Sequence, residues 1–171
     1  MAMRIAVLLD ELVHEHEFIY AYYRLKEAGF ETVSVATEKR AYKGKYGVPF
    51  TPDMLIGDVT PDEFAGVIVP GGYAPDFLRR SKAVLSLVRE MNENGKLIGM
   101  ICHAGWVGVS AGILKGRMLT STATIRDDLT NAGAVWVDQS VVVDGNLVTA
   151  RSPADLPDFM REVLRVLSTQ Q

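Results

Sequence analysis

Apolar, β-branched runs alternate with amphipathic segments in the N-terminal part of the chain. The run at residues 4–9 precedes a helical pattern at residues 17–28, which Gly29 ends, and residues 32–36 form the next apolar run. Short β-branched runs indicate strands, and apolar positions that repeat with the helical period indicate a helix. The order predicts a strand, a helix and a second strand, which is a βαβ opening.

The middle of the chain continues this alternation. Residues 67–69 are typical of a buried strand, and residues 81–94 place apolar side chains at helical spacing with Gly95 at the end. Residues 97–101 carry no polar side chain, as expected of a central parallel strand that is covered on both faces. Cys102 follows this strand directly.

The C-terminal part changes the pattern. Residues 141–143 and 147–150 flank Asp144-Gly145-Asn146, whose Asp-Gly pair suits a tight turn between antiparallel strands. Further helices are predicted at residues 107–114, 127–132 and 153–167, and a further strand at 135–137. Together these elements predict an α/β fold with a doubly wound, mostly parallel, flavodoxin-like sheet sandwiched by helices, plus a small antiparallel hairpin. With 171 residues and no linker-like stretch, we expect a single domain over residues 1–171.

Charge and composition narrow the class of protein. A net charge of −3 without a run of Lys or Arg lacks the basic surface that nucleic-acid binding needs, so no nucleic-acid partner is expected. Asp10 and Glu11 end the first apolar run before it could form a signal peptide or cross a membrane, which predicts a cytoplasmic protein without a membrane partner. The single cysteine cannot form an internal disulfide. It is either a buried inert thiol or a reactive one.

Three polar or glycine-rich segments follow strands of the predicted sheet, at residues 10–17, 70–72 and 102–103. Ligands bind beyond the carboxyl ends of such strands. Backbone N–H groups at a helix N-terminus favour thiolate over thiol, so Cys102 is expected to be nucleophilic near neutral pH. Main-chain N–H groups of Gly71 and Gly72 could form an oxyanion hole. A core thiol is an equally good interpretation of Cys102 alone, and the adjacent His103 favours a site.

Two other motifs are weaker. His14 to Glu17 could offer imidazoles and carboxylates to a metal, but a polar loop before a helix is the better interpretation, so neither a metal nor a cofactor is expected. A Gly-x-Ser-x-Gly pattern surrounds Ser110, yet this serine lies inside a predicted helix and no histidine follows residue 103. The same absence argues against a glutamine amidotransferase triad.

Several segments together resemble the PfpI-type intracellular proteases, over nearly the whole chain. They are Ile101-Cys102-His103-Ala104-Gly105, the Val-Pro-Gly-Gly at 69–72, the helix end at 22–29 and the hairpin at 142–146. This family lies within the superfamily of the Parkinson-associated deglycase, with a class I glutamine amidotransferase-like fold. The resemblance implies that Cys102 is the nucleophile, with His103 beside it and Asp76 of a neighbouring subunit orienting that histidine. It also implies a homodimer, assembled further into a homohexamer with the active site at an interface.

The sequence departs from the family pattern at two positions. The family's buried glutamate, which hydrogen-bonds to the cysteine sulfur, corresponds without a gap to His14, with Glu15 as its neighbour. An imidazolium from His14 would lower the thiol pKa by its charge, whereas a shift of one residue would restore a glutamate there. Thr122 stands where close relatives place a tyrosine near the substrate pocket.

The expected function is therefore that of a cysteine-nucleophile enzyme, in the first place an intracellular peptidase-like hydrolase. The resemblance equally allows a glutathione-independent glyoxalase or a protein deglycase acting on methylglyoxal and its adducts, so the substrate would be a peptide or a small aldehyde. A third alternative is a non-catalytic redox sensor or chaperone that uses reversible oxidation of Cys102.

Overall fold

Apolar runs form eleven strands within residues 3–171, the part of the chain that a computed structural model describes. Most are short, and the longest lie in the predicted central sheet. The strands are β1 (Arg4–Leu8), β2 (Glu31–Ala36), β3 (Tyr42–Lys43), β4 (Pro49–Phe50), β5 (Met54–Leu55), β6 (Phe64–Val69), β7 (Leu97–Ile101), β8 (Met118–Leu119), β9 (Val135–Trp136), β10 (Val141–Asp144) and β11 (Leu147–Ala150).

Seven of these strands form one sheet, in the order β10-β11-β7-β6-β1-β2-β5. Every neighbouring pair is parallel except the β10–β11 hairpin. This arrangement confirms the predicted mostly parallel, doubly wound sheet with a small antiparallel hairpin. Because β1, β6 and β7 are neighbours, their carboxyl ends meet at one edge of the sheet.

Six α-helices and five short 3₁₀ turns lie between or after the strands within the described residues. The helices are α1 (Glu15–Glu27), α2 (Ala74–Leu78), α3 (Lys82–Glu93), α4 (Gly105–Ala111), α5 (Arg126–Asn131) and α6 (Leu156–Thr169). Helices α1 and α6 pack together, and α6 lies on β7 and β11, whereas α3 packs on β6 and β7 and also against α4. No helix among residues 3–171 has both the length and the apolar content that crossing a bilayer needs.

The central strand β7 is buried at every position, as its apolar sequence predicts. Helix α6 covers it closely because Gly99 has no side chain: a Cβ there would lie 2.6 Å from Ile68 Cδ1 and 3.2 Å from Phe159 Cζ. Close packing of this kind fixes the distance between helix and sheet, and with it the position of the strand end that carries Cys102.

Some boundaries differ from the prediction. Helix α1 begins at Glu15, before the predicted start, and α4 is shorter than predicted because Gly112 ends it in a left-handed conformation with φ of 73°. The predicted strand at 135–137 does form, but β9 pairs with β8 in a separate two-stranded parallel sheet. The β3–β4 pair was not predicted, since two-residue strands leave no periodic pattern.

Candidate active site

Cys102 occupies a sharp turn between β7 and α4. The chain leaves the strand at Ile101 and enters a 3₁₀ turn over Cys102–Ala104 before the helix begins. Cys102 has φ of 62°, and only Leu12 shares a positive φ among the other non-glycine residues of the described chain. Residues with a side chain rarely adopt this conformation, which costs about 1–3 kcal/mol and is concentrated at functional sites. The turn therefore holds the thiol at the edge of the sheet at a cost in stability.

The loop that follows β6 lies against this turn. His14 N donates to Gly71 O at 3.2 Å, and Tyr73 N donates to Leu12 O at 3.0 Å, so the loop pairs with the segment after β1. A Cβ on Gly72, whose φ is 72°, would lie 2.4 Å from Leu12 O. The backbone N–H groups of Gly72 and His103 both point at the Cys102 sulfur. The Gly71 N–H donates to the Glu17 carboxylate instead. Of the predicted Gly71–Gly72 pair, the Gly72 N–H therefore remains as a donor beside the reactive atom, together with that of His103.

Glu17, in the first turn of α1, faces the same thiol. Its side chain is fully buried, and Oε2 accepts a hydrogen bond of 2.6 Å from Gly71 N. Oε1 has no hydrogen-bond partner among residues 3–171. A Cβ on Gly71 would lie 2.5 Å from Glu17 Oε2 and 2.6 Å from Cys102 Cβ, which shows how closely the three residues pack.

The carboxylate beside the thiol is thus Glu17, and the prediction that His14 or Glu15 would occupy this position is wrong. Glu15 points to the loop after β3, where its Oε1 accepts hydrogen bonds from Tyr46 N at 2.7 Å and Val48 N at 3.3 Å. The His14 ring packs against the His16 and Tyr46 rings, with centroids 5.4 and 5.5 Å away. The prediction placed the carboxylate in a loop before the helix, whereas α1 already begins at Glu15 and its buried face includes Glu17.

Burial dominates the protonation of the Glu17–Cys102 pair. It raises the pKa of Glu17 to about 7, although the hydrogen bond from Gly71 N–H acts in the opposite direction. Burial and then the charge of Glu17 raise the pKa of Cys102 to about 12, despite the N–H groups of Gly72 and His103. The predicted thiolate is therefore not the favoured form at neutral pH, because burial outweighs the backbone donors. Instead, a thiol lies beside a carboxyl group that ionises near pH 7.

His103 is also close to the sulfur. Its Nδ1 lies 3.2 Å from Cys102 Sγ, its Nε2 lies 3.4 Å from Thr124 Oγ1, and its ring centroid is 5.1 Å from that of Trp106. Burial, followed by the charge of Lys45, lowers the pKa of His103, so the ring is neutral at pH 7. A neutral imidazole at this distance can accept or donate a proton at the reacting atoms.

The remaining predicted site residues lie farther out. Asp76 sits in the first turn of α2, with its carboxylate paired to Arg80, so this chain alone does not join it to His103. Its contribution from a neighbouring subunit stays a prediction. Thr122 contacts the turn through its backbone, since its N–H donates to Cys102 O at 3.2 Å. Ser110 lies inside α4 and accepts a hydrogen bond of 2.9 Å from Arg79.

The residues His14 to Glu17 do not converge on one point. Glu15 and Glu17 turn to different neighbours, and His16 is exposed. Within residues 3–171 no group of three or more His, Cys, Asp or Glu side chains is arranged to hold a metal ion.

Comparison with known proteins identifies a family, curated relatives and a solved structure to which this chain is similar. The sequence profile of the DJ-1/PfpI family matches residues 3–166. The chain is 42% identical over 165 residues to the deglycase PfpI of Pyrococcus furiosus, covering 96% of this chain and 99% of that protein. It is 39% identical over 170 residues to protein/nucleic acid deglycase 2 of Escherichia coli, covering 98% and 99%. The crystal structure of Drosophila melanogaster DJ-1beta superposes with a TM-score of 0.90 at 31% identity, over 99% of this chain and 90% of that one.

Proposed function

The chain belongs to the DJ-1/PfpI family, and from this premise we propose that it is a cysteine-dependent deglycase. It releases amines and thiols from adducts of methylglyoxal. The observation that carries the proposal is the pairing of Cys102 with the buried Glu17, whose pKa burial raises to about 7. A general base is most effective when its pKa lies near the working pH, and Glu17 has that property. The names of the two curated relatives support a deglycase over a peptidase.

The chemistry starts with attack of Cys102 Sγ on the carbon that joins the adduct to its amine. The S–C bond to Cys102 forms, the bond from the carbon to the departing nitrogen or sulfur breaks, and the Glu17 carboxylate takes the thiol proton and passes it to the amine or thiol that leaves. The enzyme then holds methylglyoxal as a hemithioacetal. We assign stabilisation of the negative charge on the oxygen of the bound group to the N–H groups of Gly72 and His103, which lower the pKa of the Cys102 thiol from the same place.

The second half converts the hemithioacetal into a hydroxy acid. A proton moves from the carbon bound to sulfur to the neighbouring carbonyl carbon, and the hydroxyl proton moves to the former carbonyl oxygen. The first carbon is thereby oxidised and the second reduced without an external electron acceptor. His103 Nδ1, at 3.2 Å from Sγ and unprotonated at pH 7, carries this proton. Water hydrolyses the resulting thioester to lactate and restores the thiol. Overall, adduct and water give the free amine and lactate.

The first experiment replaces Cys102 with Ser and follows lactate formation from methylglyoxal adducts of N-acetyllysine and N-acetylcysteine. We expect activity to fall by roughly a hundredfold or more, since loss of the nucleophile removes covalent catalysis. Ser110→Ala is the matched control, because Ser110 lies in α4 and contacts Arg79 instead of the thiol. Lactate formation by Cys102→Ser at the wild-type rate would refute the proposal.

A second experiment separates a deglycase from a glyoxalase that consumes only free methylglyoxal. A scavenger that traps free methylglyoxal is added to the preformed adduct, and lactate is measured together with the released amine. Continued lactate formation supports the deglycase. Amine release at the spontaneous rate without lactate would instead indicate a glyoxalase.

The peptidase and redox-sensor alternatives stay predictions. Peptide hydrolysis is measured in the same preparations, with Cys102→Ser as the control. If the wild type shows no turnover of adduct, aldehyde or peptide, mass spectrometry after mild peroxide treatment tests whether Cys102 is reversibly oxidised instead.

A further inference from the structure

The loop after β3 is tied to the active site by backbone hydrogen bonds. Lys45 N donates to Val13 O at 2.9 Å, and Val13 forms an isolated antiparallel bridge with Gly72. Gly72 in turn supplies an N–H group to the Cys102 sulfur. The backbone of Lys45 is therefore separated from the thiol by only two short chain segments.

Glu15 holds this loop in place from inside the protein. Its side chain is 4% exposed and accepts hydrogen bonds from the backbone N–H groups of Tyr46 and Val48. These two residues lie on either side of the loop tip. Gly44 allows the close approach, because a Cβ there would lie 2.2 Å from Glu15 Oε1. Buried charge-assisted hydrogen bonds to backbone N–H groups are among the stronger ones in proteins. The loop therefore holds Lys45 in a defined position.

The Lys45 side chain carries an uncompensated positive charge at this place. Its Nζ lies 5.6 Å from the Tyr46 ring centroid and 5.7 Å from that of Tyr73, and both rings are more than half exposed. Rings at this distance attract a cation and hold it over their faces. Nearby Arg40 and Arg80 pair with carboxylates, whereas Lys45 forms no ion pair with any of residues 3–171.

The charge of Lys45 affects the pKa values of two groups beside the thiol. Burial sets the direction of the pKa shifts of Glu17 and His103, and the positive charge of Lys45 acts on both in addition, lowering each pKa. Tyr73, the second ring beside Lys45, directly follows Gly72 in the chain. The cation and the two aromatic rings beside it therefore lie on the side of the site that Gly72 and Tyr73 form.

We infer that Lys45, held beside Tyr46 and Tyr73 at the rim of the Cys102 site, selects ligands that carry an anionic group. This charge selection, combined with the deglycase proposal on which the substrate class rests, defines that class. The substrates are methylglyoxal adducts whose amine- or thiol-bearing half has a carboxylate or a phosphate. Glu15 is a positioning residue for this interaction, since it acts through the loop.

The first test needs no turnover and uses the single cysteine of the chain. Iodoacetate and iodoacetamide alkylate a thiol by the same displacement, in which an S–C bond forms and iodide and a proton leave, but only iodoacetate is anionic. The ratio of their rate constants at Cys102 therefore reports the charge at the site. We expect Lys45→Gln to lower the iodoacetate-to-iodoacetamide ratio by about two- to fivefold, the range for an exposed ion pair.

Three comparisons make this result specific. Lys43→Gln removes the same charge two residues away and should leave the ratio unchanged, while Lys45→Arg should preserve it. High salt should reduce the wild-type ratio towards that of Lys45→Gln, because exposed charges are screened. An equal ratio in wild type and Lys45→Gln at low salt would overturn the inference, whatever the enzyme turns over.

The second test addresses the substrate class. Matched adducts are prepared from N-acetylcysteine and its neutral amide, and from deoxyguanosine monophosphate and the neutral deoxynucleoside. Lys45→Gln should lower kcat/KM about two- to fivefold for the charged member of a pair and leave the neutral member unchanged. An effect in one pair alone identifies the preferred anion, and equal effects on charged and neutral members would refute charge selection. If the wild type converts none of the four, the deglycase proposal fails, and the alkylation ratio still decides the role of Lys45.

Discussion

Replacing Glu17 with Gln should make the protein more stable at pH 8 and leave it little changed in acid. Glu17 is fully buried, and burial raises its pKa from 4.5 to about 7. A carboxyl group with a raised pKa in the folded state favours folding while it is protonated, below the unfolded-state value. That contribution is lost as the pH rises through the folded-state value. Glutamine keeps the shape and an oxygen acceptor for Gly71 N–H, but it cannot ionise.

The size of the stability change follows from the size of the Glu17 pKa shift. One pKa unit corresponds to about 1.4 kcal/mol, so the full shift of Glu17 is worth about 3 kcal/mol of unfolding free energy. Most of this difference develops between pH 5 and pH 8. Over that range we expect the free energy of unfolding of Glu17→Gln to rise by about 2 to 3 kcal/mol relative to that of the wild type. The raised pKa of Cys102 adds nothing in this window, because that thiol is protonated in both states below its ordinary value of 9.0.

Urea unfolding of both proteins, monitored by fluorescence at pH 5 and at pH 8, measures the difference in unfolding free energy between variant and wild type at each pH. Groups other than Glu17 titrate in both proteins and cancel in the comparison. Glu27→Gln, an exposed substitution at the other end of α1, is the matched control and should shift stability by only a few tenths of a kcal/mol at either pH. If Glu17→Gln and wild type differ by the same amount at both pH values, Glu17 does not carry a raised pKa and the reasoning about the pair is wrong.

Two further predictions concern the same pair. The rate of Cys102 alkylation by iodoacetamide should rise with a midpoint near pH 7, as Glu17 ionises and becomes able to accept the thiol proton, and Glu17→Gln should lack this rise. A thiolate absorbance that already appears well below pH 7 would contradict it. Gly71→Ala should lower the unfolding free energy by about 1–3 kcal/mol and slow alkylation, because its Cβ would overlap Glu17 and Cys102. Gly57→Ala, which meets no atom within 4 Å, is the control, and equal thermal midpoints for the two variants would refute the close packing.

The sequence predicted most of the fold because the central elements have clear periods. The continuous apolar run of β7, the Asp-Gly turn between β10 and β11 and the amphipathic pattern of α6 each favour the conformation that forms. The small sheets formed by β3–β4 and β8–β9 were missed or misplaced, since two-residue strands are defined by their partners. Backbone pairing between distant segments leaves no local pattern in the chain.

The candidate site was predicted in part. Cys102 and the Gly71-Gly72 turn were identified from strand ends and glycines, whereas Glu17 was taken as an ordinary acidic residue at a helix start. One signal was available: Glu17, Ala21 and Leu25 share the buried stripe of α1 at intervals of one helical turn. A glutamate in such a stripe must be buried, and a buried carboxyl group needs a function or a partner.

The sequence by itself determined that a strand of apolar residues ends in a cysteine, at an edge where glycine loops and a polar helix start converge. Periodicity and turn chemistry are local properties, and they are sufficient for that conclusion. Only the tertiary structure decided that Glu17 packs against the thiol, that burial raises the pKa of both groups, and that Lys45 lies beside the Tyr46 and Tyr73 rings. Desolvation and the meeting of residues from separate loops depend on how the elements pack, because each is set by neighbours far away in the chain.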